Sequence, residues 1–267
     1  MMDSDKKRFF FAAQIQAPWP QDYPPARMIP EETRHVTLAF LGEQSLSKLQ
    51  ELLPSVPLPP FRIAPAGIGK ELLFLPPGSS RVAALSIEWL DSPSSLETYQ
   101  HALSLWLQNH GYPMDQRSFL SHVTISRAPF EKKAWEEHFT PLPLFVSAIH
   151  LYESVGHLEY RSLWNILLQL PFEEFEHTAD IAFHIYGNSL QQLHQNAQLA
   201  LAFKFPLLVE FFSSTLQEKL EEIIISLNEI VGLADAKYGC PFKAISFHGL
   251  VKEAEDNLLH WEMIVDV

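Results

Sequence analysis

Hydrophobic and polar residues alternate with period two in several short stretches, which is the pattern of half-buried β-strands. In the first part of the chain, strands are predicted at 8–16, His35–Leu41, Val82–Trp89, His122–Ser126, Phe145–Tyr152 and Ser162–Leu170. Proline-rich segments at 17–30 and 54–65 separate the early strands. The first part of the chain is therefore predicted to be rich in strands joined by loops.

Helical spacing interrupts this strand pattern twice. A short helix is predicted at 45–53, and a longer one begins near Ser94, where Ser94 and Glu97 can form a capping box. Gly111 and Pro113 are expected to end the longer helix. Its apolar positions recur at helical intervals and comprise Leu96, Tyr99, Leu103, Trp106 and Leu107.

The pattern changes near Pro171, where an acidic cluster begins. Beyond it we predict a strand at Ile181–Tyr186, a helix capped by Ser189, a second helix over 216–231, and two strands near Lys243–Leu250 and Leu258–Val265. The chain is therefore divided into two domains, 1–170 and 171–267. Both are assigned to the α+β class, because hairpin-like strands are mixed with scattered helices.

Composition narrows the class of protein. The chain is 47% hydrophobic and 19% charged, so it can bury a core. It has one cysteine, Cys240, which cannot form an internal disulfide and is predicted to be an unreactive, packed side chain. The lack of internal disulfides suits a reducing, cytoplasmic compartment. No apolar run is long enough to cross a membrane. The short apolar run after Lys6–Arg8 is predicted to be a first strand rather than a secretion signal.

Charge is shared unequally between the two domains. Residues 1–170 carry 14 Lys/Arg and 17 Asp/Glu, a net charge of −3, whereas residues 171–267 carry 5 and 15, a net charge of −10. The second domain is poorly suited to a phosphate backbone, whose binding depends on Lys and Arg. The second domain is therefore better suited to binding a protein partner. The first domain is expected to bind one end of a nucleic acid rather than a long duplex.

One short motif occurs twice in the first domain. His35-Val36-Thr37-Leu38 and His122-Val123-Thr124-Ile125 both read histidine, apolar, threonine, apolar. Strand side chains alternate between faces, so each histidine shares a face with its threonine. The interleaved apolar residues are expected to face the core, namely Val36, Leu38 and Phe40 in the first strand and Val123 and Ile125 in the second.

The doubled motif favours acid–base chemistry on a phosphodiester. Imidazoles titrate near neutral pH, so one histidine can act as a base while the other acts as an acid, and hydroxyls can donate to phosphate oxygens. A single His-x-Thr is usually without function, but two copies in strands are harder to dismiss. Zinc is the alternative, and it ranks low because the motifs supply two ligands where three or four are needed.

The first domain resembles the two-histidine (2H) phosphoesterase superfamily, in particular RNA 2′,3′-cyclic phosphodiesterases of the ThpR/LigT type. The matching stretches stand in family order and comprise Arg8–Ala12, His35–Gly42, His122–Arg127, Leu151–Ser154 and Tyr160. The resemblance implies a bilobal fold, in which two antiparallel sheets with outer helices are related by a pseudo-twofold axis.

The same resemblance implies a reaction, its substrate and its residues. RNA termini bearing a 2′,3′-cyclic phosphate would be hydrolysed to 2′-phosphates without a cofactor. His122 would activate water as general base, and His35 would protonate the departing 3′ oxygen. Thr37 and Thr124 would hold phosphate oxygens, and Arg127 would add positive charge. Family members also join RNA ends in reverse through 2′–5′ linkages, so RNA ligation stays open as an alternative.

The second domain resembles archease, which assists RtcB-type RNA ligases in RNA repair and tRNA splicing. The stretches concerned are Glu176–Ile181, Tyr186–Leu190, Leu227–Glu229, Lys243–Gly249 and Val265–Val267. The resemblance implies a divalent metal ion at Asp180 and Asp266 and a functional lysine at Lys243. Ala182 replaces a usual glycine and the middle is shortened, which leaves a docking or stabilising module as the alternative for this domain. For the whole chain, an RNA-end binding or ligase-accessory protein with a vestigial esterase site stays open.

Overall fold

The molecule contains two antiparallel β-sheets, each with helices packed against it. The computed structural model describes residues 6–113, 117–177, 180–254 and 258–267. An eight-stranded sheet occupies the first part of the chain and a four-stranded sheet the second. The predicted α+β class is therefore confirmed.

The first sheet closes on itself. Its order is β1-β3-β6-β5-β4-β7-β8, and β1 also pairs with β7, so six of the strands form a ring, while β2 pairs with β6 at its side. The strands are β1 Lys6–Gln16, β2 Arg27–Met28, β3 His35–Ser45, β4 Ala66–Leu75, β5 Val82–Trp89, β6 His122–Arg127, β7 Leu142–Gly156 and β8 Glu159–Leu167. The helices of this part are α1 Leu46–Leu52, α2 Ser95–Asn109 and α3 Lys132–His138.

The ring consists of two lobes joined along two narrow seams. One lobe contains β3, β1, β7 and β8, and the other contains β6, β5 and β4. At the first seam β3 meets β6 through the single pair Val36 and Val123. At the second, residues 66–69 of β4 pair with residues 142–145 of β7. The two lobes of the predicted fold are thus present, and they are joined edge to edge.

Apolar side chains on one side of this ring form the first core. Val36, Val123 and Ile125 are each at most 1% exposed, and the buried positions of α2 pack with them. Ser94 caps α2 by accepting a hydrogen bond from the Glu97 amide at 3.3 Å, as the sequence predicts. The opposite face of the two seam strands is left for polar side chains.

Phe40 departs from the sequence prediction. Its side chain is 70% exposed, whereas Ala39 and Leu41 are buried, so the expected core position was wrong. The cause is a β-bulge: Phe11 pairs with Ala39 but Ala12 pairs with Thr37, which leaves Leu38 as an extra residue. After a bulge the alternation changes phase, and Phe40 turns to the side that carries His35.

The second sheet packs against two helices. Its strands are β9 Phe172–Phe175, β10 Ile181–Gly187, β11 Ala244–Ala254 and β12 Leu258–Asp266, in the order β11-β12-β10-β9. The helices are α4 Leu190–Lys204 and α5 Leu220–Tyr238. Ser189 caps α4 by accepting from the Gln192 amide at 3.2 Å. Cys240 is buried, and burial raises the pKa of its thiol, in agreement with the packing role predicted for it.

The two parts of the chain share an apolar boundary. Phe145 of β7 lies 5.6 Å from the ring of Phe172 and 5.1 Å from that of Phe203, in the core of the second part. The chain leaves the first sheet at Leu167 and enters the second at Phe172. None of the described helices is both long and apolar enough to cross a membrane.

Candidate active site

The seam between β3 and β6 brings the two repeated motifs together. Val36 is the partner of Val123 in an antiparallel pair, so the register sets His35 beside Thr124 and Thr37 beside His122. The two histidines then occupy a diagonal, where Cβ atoms are typically about 7–8 Å apart. All four predicted side chains therefore share one surface, here called the histidine face.

Both imidazoles are held in the same way. The His35 Nδ1 lies 2.6 Å from the Thr33 carbonyl oxygen, and the His122 Nδ1 lies 2.8 Å from the Leu120 carbonyl oxygen. Each Nδ1–H donates to a carbonyl two residues earlier, and this fixes the tautomer with the lone pair on Nε2. The pseudo-twofold relation implied by the sequence thus extends to the hydrogen bond that prepares each ring for proton transfer.

The surroundings of His35 are aromatic. Its ring lies 5.0 Å from Phe10, 5.7 Å from Tyr152 and 5.2 Å from Tyr160 between ring centroids. Burial is the main cause that lowers the pKa of His35 to about 4. The nearby His122, His150 and Arg127 contribute to this lowering, and the hydrogen bond to Thr33 opposes it. His35 is therefore neutral at pH 7 when no anion is bound.

Strand β6 has a bulge that matches the Leu38 bulge of β3. Ala83 pairs with Ser126 but Ala84 pairs with Thr124, so Ile125 is the extra residue. Both bulges stand three residues after a histidine. They turn the residue five positions after each histidine to the histidine face: Phe40 in one lobe and Arg127 in the other.

Arg127 has the features of an anion ligand. Its Nε is buried and has no hydrogen-bond partner among the residues that the structure describes, although buried polar groups are normally paired. Its positive charge lowers the pKa of His35, which places it near that ring. An anion beside His35 would supply both the missing acceptor and the compensating charge.

Several residues of the site carry no local sequence motif. His150 hydrogen-bonds to the Ser162 Oγ at 2.8 Å and to the Gln14 Oε1 at 3.2 Å, and it stacks on Tyr152 at 4.7 Å. Burial lowers the pKa of His150 and raises that of Tyr152 to about 12. Phe10 lies in the Arg8–Ala12 stretch of the family resemblance, and Gln14 lies four residues further along β1.

The predicted archease-like residues meet at one end of the second sheet. Ile181 pairs with Val265 and Ala244 pairs with Asp266, so Asp180, Asp266 and Lys243 lie at neighbouring strand ends. The Lys243 amide donates to the Asp266 carbonyl at 2.8 Å, and its ammonium donates to the Val267 carbonyl oxygen. Thr178 and Ala179 of the predicted signature lie outside the described residues.

The donor set at this end fits a metal ion only in part. The Asp180 carboxylate lies 3.5 Å from the His177 Nδ1, and the His177 ring is 6.4 Å from that of His248. Asp180 and Asp266 belong to no group of three close ligand atoms among the residues that the structure describes. A divalent ion held by Asp180 and Asp266 stays a prediction.

The first part of the chain, which carries the two histidine motifs, is similar to two curated phosphoesterases. The chain is 29% identical over 140 residues to the RNA 2′,3′-cyclic phosphodiesterase of Thermotoga maritima, covering 48% of this chain and 71% of that protein. It is 32% identical over 106 residues to the enzyme of the same name from Archaeoglobus fulgidus, covering 38% and 55%. The resemblance predicted for the first part of the chain is confirmed.

The family comparison also bears on the second part. Residues 172–205 match the archease protein family, which confirms the second predicted resemblance over β9, β10 and α4. Among solved structures, E. coli LigT complexed with NADP⁺ is 23% identical with a TM-score of 0.43, covering 62% of this chain and 99% of that one. E. coli LigT complexed with 3′-AMP is 21% identical with a TM-score of 0.44, covering 61% and 98%.

Proposed function

We propose that the first part of the chain hydrolyses RNA 2′,3′-cyclic phosphate ends to 2′-phosphomonoesters with His35 and His122 as its acid–base pair. One observation carries the proposal: the Val36–Val123 seam sets two imidazoles of fixed tautomer diagonally on one face. Two threonine hydroxyls and an unpartnered arginine nitrogen share the surface near them. The curated relatives, whose name states this substrate, support the choice of RNA.

The reaction needs one proton removed and one supplied. A water oxygen attacks phosphorus while one neutral imidazole takes its proton, and the bond from phosphorus to the 3′ oxygen breaks as the other imidazole protonates that oxygen. Thr37, Thr124 and Arg127 donate to the phosphate oxygens, where negative charge develops. We assign His122 as the base and His35 as the acid.

The low pKa of His35 limits the conditions under which His35 can act as the acid. An imidazole with a pKa of about 4 carries little proton at pH 7, so His35 acts as the acid only if the bound phosphate raises its pKa. A phosphate between Arg127 and His35 would do so, because it cancels the positive charge that lowers the pKa. The pH profile of kcat reports pKa values in the substrate complex, so comparing it among the wild type, His35→Ala and His122→Ala identifies which limb of the curve each residue causes.

The test is product analysis on one oligonucleotide ending in a 2′,3′-cyclic phosphate. The full chain should release a 2′-phosphate terminus, and excess EDTA should leave the rate unchanged, because the two imidazoles perform both proton transfers. Full loss with EDTA that added zinc or manganese restores would overturn the metal-independent mechanism. A 2′–5′ joined product would favour ligation, and binding without any product would favour an accessory role.

A second function is supported for the last part of the chain. The match to the archease family over 172–205 and the net charge of −10 favour contact with a basic ligase protein of the RtcB type, in RNA repair or tRNA splicing. The full chain and its Asp180→Ala variant should be added to such a ligase, and guanylylation and turnover followed. Stimulation by the first but not the second supports the role; no complex and no stimulation would reject it.

A further inference from the structure

Two histidines and a glutamate form a compact cluster on the outer face of the second sheet. Within the described ranges, His184, His260 and Glu262 each offer one ligand atom, and these atoms all lie within 4.8 Å of one another. All three side chains are partly exposed. They lie apart from Asp180 and Asp266, since His184 is four residues along β10 from Asp180, roughly 13 Å at the usual strand rise.

The register of the sheet produces this cluster. On β10 and β12, His184 pairs with Glu262 and Tyr186 pairs with His260, so the four side chains stand at the corners of one cross-strand rectangle. The buried neighbours Phe183, Ile185, Trp261 and Met263 point to the core and fix the register. The rectangle is therefore part of a rigid sheet rather than of a loop.

Aromatic stacking orients both imidazoles. The His184 ring stacks on Phe175 at 4.2 Å, and the His260 ring stacks on Tyr186 at 5.2 Å. The His260 Nε2 lies 2.9 Å from the His184 Nδ1, so one ring donates a hydrogen bond to the other. Two tetrahedral zinc ligands at ordinary bond lengths lie about 3.3 Å apart, so a zinc ion could replace this shared proton after a small movement.

The electrostatics favour a cation at this point. Glu173, the register partner of His184 on β9, accepts a hydrogen bond from the Tyr186 hydroxyl at 3.2 Å and adds negative charge beside the cluster. One group opposes binding: the Lys252 ammonium, which lies 3.2 Å from a Glu262 oxygen.

We propose that His184, His260 and Glu262 bind a divalent zinc ion, with a fourth coordination position open to solvent. Two imidazoles and one carboxylate form a ligand set that zinc accepts, with water in the remaining position. Lys252 is mostly exposed, so it can leave Glu262 when the metal enters. The site is independent of the proposed hydrolysis in the first part of the chain.

The test uses the full chain, freed of metal and titrated with Zn²⁺ in competition with a chromophoric chelator. We expect one zinc ion per chain to depend on this cluster, so His184→Ala or His260→Ala should weaken its binding at least ~10-fold, since even the loss of a group supporting a ligand costs that much. Lys252→Gln should strengthen binding, because it removes the competing ammonium. The exposed His101→Asn is the matched control and should change nothing.

Two further measurements show whether the bound zinc belongs to this cluster. A chain with His35→Ala and His122→Ala should still bind its zinc, which excludes the catalytic pair as the source. Substitution by Co²⁺ should give the visible absorption of a tetrahedral site in the wild-type chain but not in His184→Ala. Circular dichroism shows whether that variant is folded. Equal zinc affinity in the wild type and in folded cluster variants would overturn the proposal. The cluster would then be only a hydrogen-bonded histidine pair.

Discussion

Strands β3 and β6 carry the same motif, the same bulge and the same hydrogen bond to the histidine Nδ1, yet the two sites differ. His35 lies among Phe10, Tyr152 and Tyr160, whereas His122 has no such ring contact in the described part of the chain. At the equivalent position beyond the bulge, one strand has an exposed phenylalanine and the other a buried arginine nitrogen. The two strands thus hold the two histidines in the same geometry, and the residues around each histidine make the two sites different.

The largest expected effect comes from removing either imidazole. His35→Ala and His122→Ala should each lower turnover on a cyclic-phosphate oligonucleotide at least ~10²-fold, the usual scale for a positioned acid or base. Single-turnover rates measure the effect, and His101→Asn serves as the control for histidine loss elsewhere. Near wild-type turnover in both variants would refute the acid–base pair.

Replacing Arg127 should have the second largest effect on activity. Hydrogen bonds to charged groups contribute about 1.5–3 kcal/mol, so Arg127→Ala should lower kcat/KM roughly 10- to 150-fold. The matched control is Arg81→Ala, whose side chain is exposed. If both arginine variants lose the same small amount, Arg127 does not contact the phosphate.

Replacing Phe40 should have a smaller effect than replacing Arg127. It should weaken substrate binding rather than lower turnover. An exposed ring beside the histidine face can stack on a terminal base, and such stacking contributes about 1–3 kcal/mol. Phe40→Ala should raise KM by roughly 5-fold or more with kcat little changed, and Phe40→Trp should restore binding. Leu167→Ala, another strongly exposed apolar residue of the same sheet, is the control. An unchanged KM in Phe40→Ala would exclude a stacking role.

The smallest effect concerns stability against pH. The pKa of His35 is about 4 when folded and near 6.5 when unfolded, so the unfolded chain binds the extra proton between these values. Stability therefore falls as pH decreases from about 6.5 to 4. His35→Asn should flatten that part of the melting-temperature profile by a few degrees. Thermal unfolding at several pH values measures it; parallel profiles for the two chains would contradict the pKa.

The sequence predicted the two motifs because strand periodicity fixes which side chains share a face, and His35, Thr37, His122 and Thr124 follow that rule. It failed at Phe40 because nothing local to Leu38 marks a bulge; the bulge exists only in the pairing with β1. His150 joins the site through long-range pairing with β1, which a single sequence cannot reveal, whereas Tyr152 lies in the Leu151–Ser154 stretch of the family resemblance. Asp180 and Asp266 were placed by resemblance, and the sheet does bring their strand ends together.

Several elements escaped the sequence pattern for similar reasons. Strand β9 was seen only as an acidic cluster, because the adjacent Glu173 and Glu174 between its two phenylalanines break the period-two alternation. Helix α3 has one buried residue, Trp135, and so shows no apolar periodicity. Helix α5 runs to Tyr238, where Gly239 ends it in the left-handed conformation, seven residues beyond the predicted end.

Strand β7 has a consequence for how this chain could change over evolutionary time. One end of it supports the histidine face through Tyr152, and the other inserts Phe145 into the apolar interior of the archease-like part. Gene fission near residue 170 would uncover Phe145, Ala64 and Ala66 in one product and their apolar partners in the other. Each part of the chain therefore depends on the other for the burial of these apolar side chains.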